Sequence, residues 1–286
     1  MGTTDVVVGV DGSQASWRAL RWATTEARRR GSRLRIVAAY RTPWQPADFG
    51  GGVDVEAIAL SHAEELVDEM VAMARRAAPR IVVDGLTVCG SPVPVLDAAA
   101  TNGSLIVVGS RGHGDFASLL LGSTSLQLAT HACAPVVVVR GNAEADAGPV
   151  IVGADGSPGA EPALGLAFDE AAVRGCTVMA VRAYHVPVPR FGQHVEPVDF
   201  DGTRLCAAEL ASVRDWVGPW REKYPDVAVQ TLVVCGDAAS VLVAMSSAAQ
   251  MVVVGTRGHG GFTGLLLGSV GQKLLHHAHC PVLIAR

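Results

Sequence analysis

The sequence has almost no lysine and shows no cluster of positive charge. Lys223 and Lys273 are the only lysines among 286 residues, and the formal net charge is −4. A protein that binds nucleic acid usually carries a basic stripe, because neutralising phosphates provides much of its affinity. We therefore expect no nucleic-acid partner.

Long apolar runs and a secretory leader are also missing. The longest purely apolar runs fall far short of the roughly 20 residues that cross a membrane as a helix. Residues 1–10, MGTTDVVVGV, carry no basic stretch ahead of their apolar segment. The six cysteines form no CxxC pair and no metal-ligand spacing, which is typical of incidental or buried thiols in a reducing compartment. These features predict a cytoplasmic protein without a membrane span.

Aromatic residues are scarce, whereas small and β-branched apolar residues are abundant. Hydrophobic residues make up 49% of the chain and aromatics only 5%, so most of the apolar content is Val, Ala and Leu. Beta-branched runs mixed with alanine suit a parallel sheet that is covered by helices on both faces.

The chain contains a long internal repeat. Its spacing is 144 residues at the first matching pair and 146 at the others, which indicates two duplicated domains because solenoid repeats are several-fold shorter. The join, GNAEADAGP at 141–149, lacks hydrophobic periodicity and predicts a linker between domains at 1–142 and 148–286. The matching pairs are 6–16 with 150–160, 88–96 with 234–242, 105–125 with 251–271, and 131–140 with 277–286.

Each repeat alternates between strand and helix patterns. This alternation predicts an α/β fold with right-handed crossovers, that is, two tandem open parallel five-stranded sheets flanked by helices, which is a Rossmann-like architecture. In the first repeat we predict strands at 6–10, 33–40, 81–88, 105–109 and 135–140. We predict helices at 14–30, 54–77 and 93–100, and near 123–131.

Glycine-containing segments follow the predicted strands at the sheet edge where such folds bind ligands. The pattern Gly109-x2-Gly112-x9-Gly122-Ser123 recurs as Gly255-x2-Gly258-x9-Gly268-Ser269. Glycines let a backbone approach a ligand closely, and the final Gly-Ser lies where a helix begins, so its free N–H groups would face an anion. The pattern favours a di- or triphosphate bound by backbone amides.

Several alternatives stay open at the residue level. Asp11 and Asp155 follow the first strand of each repeat and could contact a ligand, directly or through a metal ion, or could cap the next helix. Arg111 and Arg257 lie inside the loops and could touch phosphates or be solvated. Two common nucleotide motifs are absent: there is no GxxxxGK[ST], and no GxGxxG follows the first strand.

The duplicated glycine pattern, together with the VDGS and ADGS starts, resembles the ATP-binding branch of the universal stress protein family. The arrangement is similar to the tandem-domain members of actinobacteria and covers the whole chain. The resemblance implies that ATP binds with Mg, that Asp11 and Asp155 lie near ribose and phosphates, and that Tyr40 and Tyr184 fall near the backbone position that contacts adenine. The predicted cofactor-binding residues are Gly9, Asp11, Gly12, Ser13, Tyr40, Gly109, Arg111, Gly112, Gly122, Ser123, Thr124, Gly153, Asp155, Gly156, Ser157, Tyr184, Gly255, Arg257, Gly258, Gly268, Ser269 and Val270.

The resemblance also implies a role in stress, hypoxia or dormancy, exerted through nucleotide occupancy and an unidentified protein partner. No general base with an orienting partner is visible beside the loops, so we expect no catalytic residue. A slow ATPase and a ligand-free dimerisation or scaffold module are the alternatives. The apolar last strands at 136–140 and 282–286 are expected to pair within the chain, and a homodimer is possible. The loops at 41–53 and 185–202 could cover the site or form a subunit contact.

Overall fold

A computed structural model describes residues 5–41, 54–101, 103–112, 121–185, 202–259 and 266–286. Most of the two loops that could cover the site therefore lies outside the described residues. The described chain forms an α/β fold in which strands and helices alternate in each half, as the sequence predicts.

The first half contains all nine predicted elements, with ends that differ by two residues or fewer. The strands are β1 (Val6–Val10), β2 (Leu34–Tyr40), β3 (Val83–Cys89), β4 (Leu105–Gly109) and β5 (Val136–Val139). The helices are α1 (Gln14–Arg30), α2 (Val55–Ala77), α3 (Pro92–Ala99) and α4 (Ser123–His131).

The second half repeats this order. Its strands are β6 (Val150–Gly153), β7 (Val178–Tyr184), β8 (Val229–Cys235), β9 (Met251–Gly255) and β10 (Val282–Ala285). Its helices are α5 (Ala160–Arg174), α6 (Gly202–Lys223), α7 (Ala238–Met245) and α8 (Ser269–His277), with a short 3-10 turn at Ser246–Ala248.

The strands of each half are parallel. In the first half the order is β3-β2-β1-β4-β5, and in the second β9, β6, β7 and β8 lie side by side in that order. The strand order reverses between β1 and β4, and between β6 and β9, so a crevice is expected beyond the carboxyl ends of these strands. The central strands are buried on both faces: the successive residues Val7 and Val8 of β1 are 1% and 0% exposed, and Ile106 and Val107 of β4 are both 0% exposed. Burial of each such side chain contributes about 1.5–3 kcal/mol.

The last strand of the chain groups with the first compact unit. That unit comprises Met1–Glu144 with Pro281–Ile284 and Arg286, and the second comprises Ala145–Cys280 with Ala285. Within the first unit β10 pairs antiparallel with β5, Leu283 standing opposite Val137. The two apolar last strands thus pair, as predicted.

Helix α1 shows how local sequence fixes an element. The Ser13 side chain accepts from the Ser16 N–H at the amino end, and Gly31 ends the helix in the left-handed region at φ 62°. Inside it, Glu26 and Arg30 form a buried ion pair at 2.6 Å, and Glu170 and Arg174 repeat the pair in α5 at 2.9 Å.

None of the helices in the described ranges is both long and apolar enough to span a membrane.

Candidate functional site

A cavity of about 510 Å³ lies beyond the carboxyl ends of β1 and β4 in the first half. Its size falls in the range of about 300–1,000 Å³ that is usual for small-molecule sites. It brings together eight of the eleven predicted site residues of this half. These eight are Gly9, Asp11, Gly109, Arg111, Gly112, Gly122, Ser123 and Thr124.

The amino end of α4 faces this cavity. Gly122 is its N-cap residue and supplies no side-chain cap, and Ser123, Thr124 and Ser125 of the first turn line the cavity. The first-turn N–H groups of a helix lack intrahelical acceptors and lie at the positive end of its dipole. This end of the cavity is therefore suited to an anionic oxygen.

Hydrogen bonds hold the segment around α4 in place. The Gly122 N–H donates to the Ser110 carbonyl at 2.8 Å, which brings the beginning of the helix back to the end of β4. The buried Ser125 hydroxyl donates to the Gly109 carbonyl at 2.6 Å. The helix terminus is thus fixed in position independently of any ligand.

Asp11 joins the loop after β1 to the loop after β4. Its Oδ1 accepts from the Ser13 N–H at 3.0 Å, and a Cβ added at Gly112 would lie 2.5 Å from its Oδ2. Gly112 is therefore required by the close approach of the Asp11 carboxylate. The N-cap residue of α1 is Ser13, not Asp11, so helix capping is not the role of Asp11.

Ser13 and Gly12 support the site without lining the cavity. The Ser13 hydroxyl lies 3.5 Å from the Arg111 carbonyl, at the limit of a hydrogen bond, and caps α1 as well. Gly12 has a φ of 84°, in the region that favours glycine, and so provides the turn between Asp11 and Ser13.

Gly9 and Gly109 line the cavity, and other groups pack so closely against both that neither position has room for a side chain. A Cβ at Gly109 would lie 2.6 Å from the Ala15 carbonyl carbon and oxygen, and one at Gly9 would lie 2.7 Å from Leu96. The first contact is with backbone, which cannot move aside cheaply. Gly109 therefore sets how closely α1 approaches β4.

The second half reproduces the Asp–Gly contact. Oδ2 of Asp155 accepts from the His259 N–H at 3.0 Å, its Oδ1 accepts from the Ser157 N–H at 3.0 Å, and a Cβ at Gly258 would collide with the carboxylate. The Ser157 hydroxyl donates to Asp155 at 2.5 Å and lies 3.4 Å from the Arg257 carbonyl. The N-cap of the following helix is Gly159, so the acidic residue is not the N-cap here either.

The remaining predicted residues of the second half occupy equivalent places. Gly268 is the N-cap of α8, has no side-chain cap and donates its N–H to the Thr256 carbonyl at 2.7 Å, so Ser269 and Val270 begin the helix. Gly255 packs against the Gly159 backbone. Gly153 lies at the end of β6 against Leu242 and Val254, and Gly156 has a φ of 76°.

Tyr40 and Tyr184 lie away from the glycine loops. Tyr40 does not line the first-half cavity, because alternation along β2 directs its side chain to the face opposite that of Ala39. Burial there raises the pKa of Tyr40, and Cys89, Glu56 and Glu64 raise it further. Burial likewise raises the pKa of Tyr184, and the nearby Cys206 and Cys235 raise it further. Both side chains are thus directed to the α2 or α6 face of the sheet.

The apolar wall of the cavity was missed by the sequence analysis. Val37 and Ala39 of β2, Pro92 and Leu96 of α3, and Leu121 all line it. Alternation along β2 could have identified Val37 and Ala39, because side chains two residues apart share a face and the Tyr40 side chain points to the other face.

Metal-binding groups do not cluster in the described part of the chain. Nowhere within it do three or more His, Cys, Asp or Glu side chains come together in a way that could hold a metal ion. None of the six cysteines, all within the described residues, forms a disulfide; Cys280 is buried, whereas Cys89, Cys133 and Cys235 are exposed.

The strand order, with a glycine-containing segment and an uncapped helix end beyond β4 and β9, defines an α/β fold whose two halves share one local arrangement. The sequence model of the universal stress protein family matches residues 3–140 and 147–286. The chain therefore belongs to the universal stress protein family, with one family domain in each half.

Curated relatives and solved structures agree with this assignment. The chain is 38% identical to universal stress protein Rv2005c of Mycobacterium tuberculosis over 297 residues, covering 98% of this chain and 96% of the relative. It is 34% identical to universal stress protein Rv2623 of the same organism, with the same coverage of both chains. The crystal structure of a universal stress protein from Archaeoglobus fulgidus superposes with a TM-score of 0.75 at 20% identity, covering 100% and 99% of the two chains.

Proposed function

We propose that this universal stress protein binds ATP in the first-half cavity and at the matching loop of the second half. The observation that carries the proposal is the uncapped amino end of α4, whose first turn lines a cavity of about 510 Å³ beside the carboxylate of Asp11. Backbone N–H groups at a helix terminus are a general solution for binding phosphate.

The lining residues divide the cavity into two regions suited to the two ends of a nucleotide. The amides and hydroxyls of Ser123 and Thr124 would hold phosphate oxygens, with the Arg111 side chain at the same end. Val37, Ala39 and Leu96 form an apolar wall suited to the flat adenine ring.

The residues present also fit Mg²⁺ bound together with the phosphates. Magnesium is usually held by one or two carboxylates plus substrate phosphates and waters, rather than by a cage made only of protein. Asp11 supplies one such carboxylate in the cavity and Ser123 a neighbouring hydroxyl. The metal would neutralise phosphate charge, while Asp11 holds the loop around Gly112.

We further propose that the protein acts in the cytoplasm through nucleotide occupancy. In this proposal the bound state is recognised by a protein partner or by a second copy of the chain, during stress, hypoxia or dormancy. A slow ATPase is the alternative from the enzyme class, and a ligand-free scaffold is the alternative from the interaction class.

Nucleotide released from the purified protein tests the proposal. The protein is denatured directly after purification, and the supernatant is analysed by chromatography for ATP, AMP and cyclic AMP. We expect ATP near two per chain, because both halves carry the Asp–Gly contact. The double variant Gly112→Ala, Gly258→Ala should retain little, because each new methyl group would displace the acidic side chain beside it.

If the protein released no nucleotide and took up no added ATP, the proposal would be excluded and the scaffold alternative would remain. AMP or cyclic AMP in place of ATP would exclude the triphosphate. Turnover of added ATP at about one per second, the low end for ordinary enzymes, would favour the ATPase instead.

A further inference from the structure

A second cavity, of about 600 Å³, lies in the second half between the beginning of α5 and the carboxyl half of α6. It lies on the α5/α6 side of the sheet, whereas the first-half cavity lies on the face of α3 and α4. Gly156 and Ser157 of the loop after β6 line it at one end, whereas the rest of its lining comes from α5, α6 and Pro158 and is not part of the proposed nucleotide site. Leu164 and Pro158 form one wall, and Trp216 and Trp220 form the other.

The two indole rings are held firmly although both remain partly exposed. Trp216 packs against Gly156, which has no Cβ to obstruct the ring, and Trp220 packs in the same way against Gly165. Trp220 also stacks with the fully buried Phe168, with ring centroids 6.4 Å apart. The wall is therefore preformed, and a planar ligand would lose little to ordering of the protein.

Hydrogen-bond acceptors gather at the rim of this cavity. The acidic residues Glu161 and Asp215 line it together with Lys223, and Pro219 stands inside α6 one turn after Asp215. Because proline has no N–H, the Asp215 carbonyl lacks its usual helical donor. The rim thus offers two carboxylates and a carbonyl to a ligand that donates hydrogen bonds.

The aromatic rings already attract cations in the structure. The Arg182 guanidinium carbon lies 5.9 Å from the Trp216 ring centroid, and the Lys223 Nζ lies 5.0 Å from that of Trp220. Indole faces are the best side-chain partners for cations. Lys223 lines the cavity as well, so a positively charged ligand would take the place of its ammonium group beside the Trp220 ring, between Glu161 and Asp215.

The aromatic wall is confined to one half of the repeat. Val213 and Val217 of α6 stand in register with the buried Val67 and Val71 of α2 at the repeat spacing of 146 residues. At the same spacing, Met70 and Ala74 replace Trp216 and Trp220. Simple packing of the helix against the sheet therefore does not require the two tryptophans.

We propose that the groove between α5 and α6 is a binding site for a small aromatic ammonium compound. Its ring lies against the indoles of Trp216 and Trp220, and its ammonium group donates to Glu161 and Asp215. The site shares Gly156 and Ser157 with the loop after β6, but its aromatic wall and its two acidic residues lie outside the glycine loops.

Titration with 2-phenylethylamine, followed by indole fluorescence and by calorimetry, tests the proposal. Phenylacetate has a similar ring and the opposite charge, and we expect it to bind at least about tenfold more weakly, which corresponds to roughly 1.4 kcal/mol. The variant Glu161→Gln, Asp215→Asn keeps the shapes of the side chains and removes both charges. It should lower the affinity for 2-phenylethylamine by about tenfold or more.

Glu222→Gln is the matched control, because Glu222 is an exposed acid of α6 that does not line the cavity. It should bind 2-phenylethylamine as the unaltered protein does. Absence of saturable binding, equal affinity for phenylacetate, or unchanged affinity in the doubly neutralised variant would each overturn the proposal.

Discussion

Gly109 and Gly112 are three residues apart, and the structure gives them different tasks. A Cβ at Gly109 meets the backbone of Ala15, whereas one at Gly112 meets only the Asp11 side chain. We predict that Gly109→Ala lowers the free energy of unfolding by about 1–3 kcal/mol, the usual cost of overpacking. Urea denaturation measures this directly.

Gly122→Ala is the control for this prediction. An added Cβ there would lie 3.4 Å from the nearest atom, the Cα of Arg111, which is an ordinary contact, so its effect on stability should be distinctly smaller. Equal losses in the two variants would show that α1 can move away from β4, contrary to the close packing described above.

Prediction from sequence worked at residue scale where a motif fixed the backbone. Gly112, Gly122 and Ser123 were found because glycine spacing reflects where the chain turns and where a helix starts. The resemblance places Tyr40 near the backbone position that contacts adenine, which stays a prediction; its side chain lies on the opposite face of the sheet from Ala39. Sequence spacing locates a strand end, but the face on which a ligand lies depends on how α3 covers the sheet.

At the scale of single elements, α7 illustrates how one terminus can be stabilised in the second half alone. Asp237 is its N-cap, accepting from the Ser240 N–H at 2.9 Å and hydroxyl at 2.7 Å, and from Lys273 at 3.1 Å. These hydrogen bonds, the Ser240 hydroxyl first, lower the pKa of Asp237 from 3.8 to about 2. The position equivalent to Lys273 in α4 is Gln127.

We predict that Asp237→Asn lowers stability near neutral pH by less than about 1 kcal/mol, because the pair is largely exposed. A lowered carboxyl pKa stabilises the fold above the unfolded value and loses that effect as pH falls through the folded value. The difference between wild type and variant should therefore shrink as pH falls from 3.8 to about 2. Thermal unfolding across this range measures it.

Asp237→Ala separates capping from charge in the same experiment. Asparagine still caps a helix well, whereas alanine does not, so the alanine variant should lose about 1 kcal/mol more at every pH. A difference between wild type and Asp237→Asn that stays constant down to pH 2 would contradict the assigned role of the charge.

The elements themselves were predictable because apolar periodicity and end signals agreed. Ser13 and Gly31 marked both ends of α1, and unbroken valine runs marked the buried strands. The buried pair of Glu170 and Arg174 was not predicted, because an (i, i+4) charge pair usually lies on the exposed face of a helix. The sequence does not show which neighbouring elements cover it.

For the whole molecule, the repeat was the strongest sequence signal, but it concealed differences between the halves. Both halves retain the glycine loop and the acidic residue, so duplicated sites could be predicted. Trp216 and Trp220 stand where the first half has Met70 and Ala74, and they give the cavity between α5 and α6 an aromatic wall. Such a cavity depends on packing between two helices, which no repeat alignment describes.

The duplication predicts two sites that can be removed one at a time. Gly112→Ala should reduce bound nucleotide from about two per chain to about one, and Gly258→Ala should do the same, because each disturbs only the acidic residue of its own half. At a free ATP concentration of 100 times the dissociation constant, each remaining site should still stabilise its half by about 2.7 kcal/mol. Released nucleotide and thermal unfolding with added ATP measure both effects.

Gly31→Ala is the control variant, because it should lower the stability of the protein without changing either proposed nucleotide site. Gly31 has a φ of 62° and nothing within 4 Å of an added Cβ, so the variant should be somewhat less stable yet retain about two nucleotides. If either single variant lost both nucleotides, the halves could not be independent sites. The two Asp–Gly contacts would then be required together for nucleotide binding. The chain would exist in two states, one with both nucleotides bound and one with neither.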